Sequence, residues 1–129
     1  MFVDASALVA ILAAEDDADS LSARLINAEK LITSPMAIYE AAVGLARARQ
    51  SSIVDAFEAV SKLLANGDAE IVPITAEIGR AAITALERYG RGRHAAQRNM
   101  GDCFAYACAK TLGVPLLYKG DDFTLTDIA

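Results

Sequence analysis

Tryptophan is missing from this chain of 129 residues, histidine occurs once, cysteine twice and proline three times. Each scarcity removes a class of chemistry. One histidine and two cysteines cannot assemble a Cys/His zinc centre, whose ligands come in fours at short spacings. Cys103 and Cys108 lie in a segment that reads as helix, where their spacing turns them about 140° apart around the axis, too far to bridge. They are expected to be reduced thiols in the core. Long apolar runs are absent too: the stretch from Ala5 to Ala14, broken only by Ser6, falls far short of the ~20 residues that span a bilayer. Met1-Phe2-Val3-Asp4 carries no basic leader, so the chain reads as soluble and cytoplasmic, with no membrane partner. Bases are the minority charge, 12 Lys and Arg against 17 Asp and Glu, for a net charge of −5. The molecule as a whole therefore repels polyanions, and contact with nucleic acid requires a local basic patch or bound cations.

What the chain has in quantity is apolar surface. At 54% hydrophobic and this length it is expected to form a single domain over 1–129 with a substantial core. Phe2-Val3, Leu31-Ile32-Thr33, Glu70 to Ile74 and Pro115 to Tyr118 read as short strands, with Pro73 limiting the third to an edge or an end. Between them lie helical patterns. Ala5 to Ala14 is alanine-rich with little polar face; Leu21, Leu25 and Ile26 repeat at helical spacing behind an acidic stretch. Ser34-Pro35 is an N-cap followed by proline at the first helical position, predicting a helix to about Arg49. A second, from Ser52 to Asn66-Gly67, carries Ile53, Val54, Phe57, Val60, Leu63 and Leu64. Thr75 caps the next, through Ile78, Ala82, Ile83 and Leu86, and Asp102 to Leu112 is the last. Short strands alternating with amphipathic helices indicate an α/β fold, a mostly parallel sheet covered on both faces.

In such sheets ligands bind beyond the carboxyl ends of the strands. Asp4 follows the first strand directly, and Asp121 and Asp122 follow the last across Lys119-Gly120. Glu40 lies in the helix leaving the second strand, with Met36, Ala37, Val43 and Gly44 as its helical neighbours, so its carboxylate falls in an apolar stripe. Asp102 opens a helix with Ala105 and Tyr106 one turn ahead on its own face. Each acid has an ordinary structural explanation: Asp4 and Asp102 as helix caps, the paired aspartates as turn residues, Glu40 as a surface partner of Arg47 or Arg49. Together they converge on one rim, where like charges raise each other's pKa or demand a cation. Oxygen donors without sulfur or imidazole suit magnesium or manganese, ions that act on phosphodiesters. Just upstream of Asp102, Arg88, Arg91, Arg93, His94 and Arg98 form the one basic cluster, among mobile glycines, as phosphate contacts would require. A solvated helix end explains it equally well on composition alone.

Four stretches taken together, "VDASALVAIL", "SPMAIYEAAVGL", "RHAAQRNMGDCFAYACAK" and "PLLYKGDDFTLTDI", resemble the PIN-domain family, specifically the VapC-type toxins of type II toxin–antitoxin systems. The similarity covers nearly the whole chain in order. It implies a three-layer α/β/α sandwich with a short, mostly parallel central sheet, and a Mg2+- or Mn2+-dependent endoribonuclease acting on RNA, a homodimer inhibited by a cognate VapB-type antitoxin. By the same resemblance Asp4, Glu40 and Asp102 are the first three catalytic and metal-binding acids, and Ser6 is the hydroxyl that supports the first. Asp121 is the preferred fourth acid, Asp122 its alternative and Asp127 a remote third. Arg91, Arg93, His94 and Arg98 would meet RNA. Two other readings compete. A receiver-type phosphoacceptor domain would use Lys119 beside an acidic pocket, but wants paired acids after the first strand and an acceptor aspartate after a middle one. A non-catalytic binding module would use the acids only to hold an arginine from a partner.

Overall fold

The computed structural model describes residues 1–89, 99–120, 123, 126 and 127, and its strands are only two residues long. β1 (Phe2–Val3), β2 (Ile32–Thr33), β3 (Glu70–Ile71) and β4 (Leu116–Leu117) pair in the order β3-β2-β1-β4, each pair parallel. Two residues are enough to serve two faces, because successive side chains on a strand point to opposite sides of the sheet. Phe2, Ile32 and Leu116 enter one core, while Val3 and Leu117 enter the other. The first is covered by α5 (Ala76–Tyr89) and α6 (Met100–Leu112). The second is covered by α1 (Ala5–Leu12), α2 (Ala18–Asn27), α3 (Pro35–Arg49) and α4 (Ile53–Asn66). The described residues thus form the expected α/β/α sandwich. One helix breaks the segregation: α3 gives Ala37 to the first core and Ala41, Leu45 and Ala46 to the second, and it touches α6 as well as α1 and α4.

Local chemistry sets where the helices begin. Ser34 Oγ accepts from Ala37 N at 3.1 Å with Pro35 at the first position of α3, and Ser52 Oγ accepts from Asp55 N at 3.0 Å to start α4. Thr75 Oγ1 accepts from Ile78 N at 3.2 Å ahead of α5. The first helix is shorter than its alanine run suggests, because Ala14 takes a left-handed φ of 53° and the Arg49 guanidinium donates to the Leu12 carbonyl. The third strand shrinks to Glu70–Ile71 and lies at the edge of the sheet, where Pro73 disrupts no inner ladder.

Burial departs from the hydrophobic pattern on two helices. On α4 the inward face is Ala56, Val60 and Leu64, leaving Ile53, Val54 and Phe57 exposed, the last at 49%. On α5 it is Ile78, Ala82, Ala85 and Tyr89, leaving Ile83 69% exposed. Alanine at the contact lets each helix approach its neighbour closely, and the larger side chains beside it then lie outside the contact.

Thr33 closes β2 and is fully buried; its hydroxyl donates to the Val3 carbonyl at 3.0 Å, tying the end of β2 to the end of β1. Thr33→Val keeps the shape and removes that donor. The expected loss is about 1–3 kcal/mol of folding stability, read from urea unfolding; an unchanged midpoint and slope would show that the hydroxyl contributes nothing.

Candidate active site

From β1 the chain steps outward to β2 and β3, then returns to place β4 on the other side of β1. The direction of winding therefore reverses between β1 and β4, and the carboxyl ends of those two strands border the crevice where open α/β sheets bind ligands. Asp4 is the first residue past β1 and is only 4% exposed. Its Oδ2 accepts from Ser6 N at 3.0 Å and from Ser6 Oγ at 2.5 Å, so it caps α1 while the serine hydroxyl fixes its rotamer. The bonding continues into β4: Asp4 N donates to the Leu117 carbonyl at 2.9 Å, and Lys119 N donates to Ser6 Oγ at 3.0 Å. Ser6 thus supports the aspartate and pins the exit of β4 beside it.

Glu40 comes from the second turn of α3, the helix that crosses to α6. Its carboxylate lies directly over Gly101. Its pKa is pushed up to about 7, by burial first, then by the negative charges of Asp4 and Asp102. Asp102 is the third residue of α6. Its backbone N donates to Asn99 Oδ1 at 2.9 Å, and Asn99 N donates to its Oδ2 at 3.3 Å, a reciprocal capping box. The cap of this helix is therefore Asn99, and Asp102 is the acid that answers it. Glu40 thus lies within reach of the charges of both Asp4 and Asp102, although among the described residues no three acids, cysteines or histidines stand close enough together to close on one ion.

Other side chains singled out from the sequence go elsewhere. Glu40 does not take up a surface pairing with Arg49, which bonds to the end of α1. Asp127 accepts from Tyr106 Oη at 2.5 Å and from Lys110 Nζ at 3.0 Å on the flank of α6, and the Tyr106 hydrogen bond holds its pKa below the usual carboxylate value. Lys119, which a receiver-type pocket would need, sends its ammonium to Glu15 at 2.7 Å and Asp17 at 3.7 Å, and the Glu15 bond raises its pKa. Cys103 and Cys108 are buried thiols outside any disulfide, and burial pushes Cys108 up to about 11. Asp121, Asp122, Arg91, Arg93, His94 and Arg98 lie outside the described residues. Two contributors had escaped the sequence reading. Asn99 is marked by its three-residue spacing from Asp102, a capping signature; Gly101 carries no local signal, since what it accommodates comes from another helix.

The raised Glu40 makes a pH signature. In the unfolded chain this carboxyl titrates near 4.5 and in the fold near 7, so between those values the folded state binds more protons and stability falls as pH rises through the window. Glu40→Gln is expected to remove that part of the fall. Thermal unfolding in metal-free buffer from about pH 4.5 to about pH 8 measures it, and parallel loss in both proteins would show that another group titrates.

Comparison with known proteins agrees with this architecture over the whole chain. The PIN domain family model matches residues 1–129. A VapC ribonuclease of Rhizobium meliloti is 40% identical, with 98% of each chain covered, and ribonuclease VapC of Mycolicibacterium smegmatis is 39% identical over 100% of this chain and 98% of its own. Ribonuclease VapC30 of Mycobacterium tuberculosis is 38% identical over 100% of this chain and 96% of its own. In fold, the chain is similar to the crystal structure of Mycobacterium tuberculosis VapC20, a toxin that cleaves the sarcin-ricin loop, with a TM-score of 0.79 at 18% identity over 99% of this chain and 95% of that one. The match of the family model over the whole chain and the full-length likeness to these ribonucleases, on a fold shared with that toxin, place the chain in the PIN domain family, in its VapC branch.

Proposed function

We propose that the protein is an endoribonuclease, the toxin of a type II toxin–antitoxin module, hydrolysing RNA phosphodiester bonds at a divalent cation that would draw Asp4, Glu40 and Asp102 closer together as its ligands, with Asp121 or Asp122 as a fourth acid. The observation that carries this reading is Glu40, a half-buried carboxylate seated over Gly101 in the first turn of α6 and raised in pKa by burial and by the charges of Asp4 and Asp102. A fold keeps such repulsion only where something offsets it, and a hard cation with oxygen ligands does so. The donor set fits magnesium or manganese, since it contains no sulfur or imidazole. When bound, the ion neutralises charge developing on the phosphate oxygens and activates water.

The chain's own residues supply the frame. Ser6 holds the Asp4 carboxylate in one orientation, and the α6 cap does the same for Asp102. The basic stretch with Arg91, Arg93, His94 and Arg98 would carry phosphate contacts in a molecule otherwise too acidic to attract RNA. A VapB-type antitoxin would meet a ready surface. Pro35, Ile38, Tyr39, Ile53, Phe57 and Ile71 line an apolar groove of about 490 Å³ between α3 and α4, and Tyr39, 71% exposed, is the neighbour of Glu40. A partner with an apolar face and one basic side chain would fill the groove and reach the acids. Homodimer formation would cover further apolar surface, for which Ile83 and Leu86 on α5 are available.

Purified protein is expected to cleave RNA with magnesium or manganese and to stop with EDTA. Asp102→Asn, which keeps the helix start and removes the charge, should lower manganese affinity and turnover by at least tenfold, on the scale of lost metal-site groups. Cleavage at the same rate in excess chelator would rule out the metal site, and full activity of Asp102→Asn would reduce Asp102 to its cap role.

Arg93→Ala tests the substrate side. Manganese affinity should be unchanged while RNA binding weakens across sequences, with the slope of log affinity against log salt shallower by about 1. An unchanged slope in filter-binding measurements at several salt concentrations would assign the basic stretch to solvent.

A further inference from the structure

Gly101 is an odd residue for its position. It is buried in the first turn of α6, its backbone has the ordinary helical sense, and glycine weakens a helix relative to alanine. No turn or positive φ asks for it. What occupies the space of its absent side chain is Glu40: a Cβ on Gly101 would lie 1.9 Å from Oε2 and 2.3 Å from both Oε1 and Cδ. Gly79 in α5 makes the contrast, since a Cβ there would meet nothing within 4 Å.

We infer that Gly101 is a positioning residue for the cation site: the missing side chain is the seat of the Glu40 carboxylate, which lets an acid from α3 lie against the start of α6 beside Asp102. The inference rests on the reading of Glu40 as a metal-site acid. Three features of the structure support it. Glu40 and Asp102 come from different helices, so their spacing depends on how closely α3 approaches α6 at this point. The pocket around the Glu40 carboxylate is narrow, walled by Ser34, Met36, Ala37, Phe104 and Ala105, so a carboxylate pushed off Gly101 has to leave it. The obstruction is the far end of a flexible side chain, so an added methyl would push the carboxylate away and leave the helices in place. Gly101→Ala should consequently act on the site and spare the fold.

The test combines manganese affinity, followed by the electron paramagnetic resonance signal of free ion, with thermal unfolding and RNA cleavage. Gly101→Ala is expected to weaken manganese binding at least tenfold and to slow cleavage in proportion, with a melting temperature equal to or above that of the unmodified protein. Gly79→Ala should change neither affinity nor cleavage. Glu40→Asp shortens the acid by one methylene and frees the seat, so adding Gly101→Ala to Glu40→Asp should cost little more, a non-additive cycle that a general packing defect would not produce. Unmodified affinity and cleavage in Gly101→Ala, while Glu40→Gln loses both, would overturn the inference and leave the cation site standing. Retention of both by Glu40→Gln would overturn the site reading and the inference with it. If Gly101→Ala does not fold, the double variant decides: a folded double variant identifies the carboxylate as the obstacle, and an unfolded one overturns the inference by making Gly101 a packing residue.

Discussion

Holding like charges together is the constraint to which this structure answers. Asp4, Glu40 and Asp102 arise from three separate places in the chain, and each would be better solvated apart from the others. A serine hydroxyl and amide hold Asp4, the amide of a capping asparagine holds Asp102, and Glu40 is seated, half-buried, over Gly101. Hydrogen bonds of this kind fix where a carboxylate points. The nearby ammonium of Lys119, which could have quenched the site, is taken up by Glu15 and Asp17 at the corner between α1 and α2.

The sheet is correspondingly small. With two residues per strand it contributes few ladder bonds, and its central strand earns its place by feeding two cores at once, Phe2 on one side and Val3 on the other. The order of the strands makes that strand the point where winding reverses, which puts Asp4 in the crevice. The bonds that Asp4 N donates to Leu117 and Lys119 N donates to Ser6 then fix the direction in which the chain leaves β4.

Much of this was legible in the sequence for identifiable reasons. Strands, caps and the α/β class follow from local signals: apolar runs bounded by breakers, Ser34-Pro35, Thr75, and the glycine after Leu112. Glu40 was legible because local rules place it badly, in an apolar stripe; Asp4 and Asp102 obey local rules as helix caps and drew notice only through their places after a strand and at a helix start. What could not be read was whatever depends on two elements meeting. Nothing in the chain says that β4 lies beside β1, that Ala56 and Ala82 take the inner faces in preference to Phe57 and Ile83, or that a glycine in α6 accommodates an acid from α3. Those outcomes are decided by helix separation, which residue type constrains only in pairs. Asp121, Asp122 and the basic cluster were also named from sequence and lie outside the described residues.

The ends of the segment 90–98 carry a further consequence. It leaves from Tyr89, buried with its ring 5.5 Å from that of Tyr106 in an edge contact, and it returns at Asn99, the cap of α6, so both of its ends are fastened to one helix. Core packing at Tyr89 and the cap at Asn99 therefore set the separation of the two ends independently of the residues between them, so the start of α6, and with it Asp102, is positioned by the body of the domain.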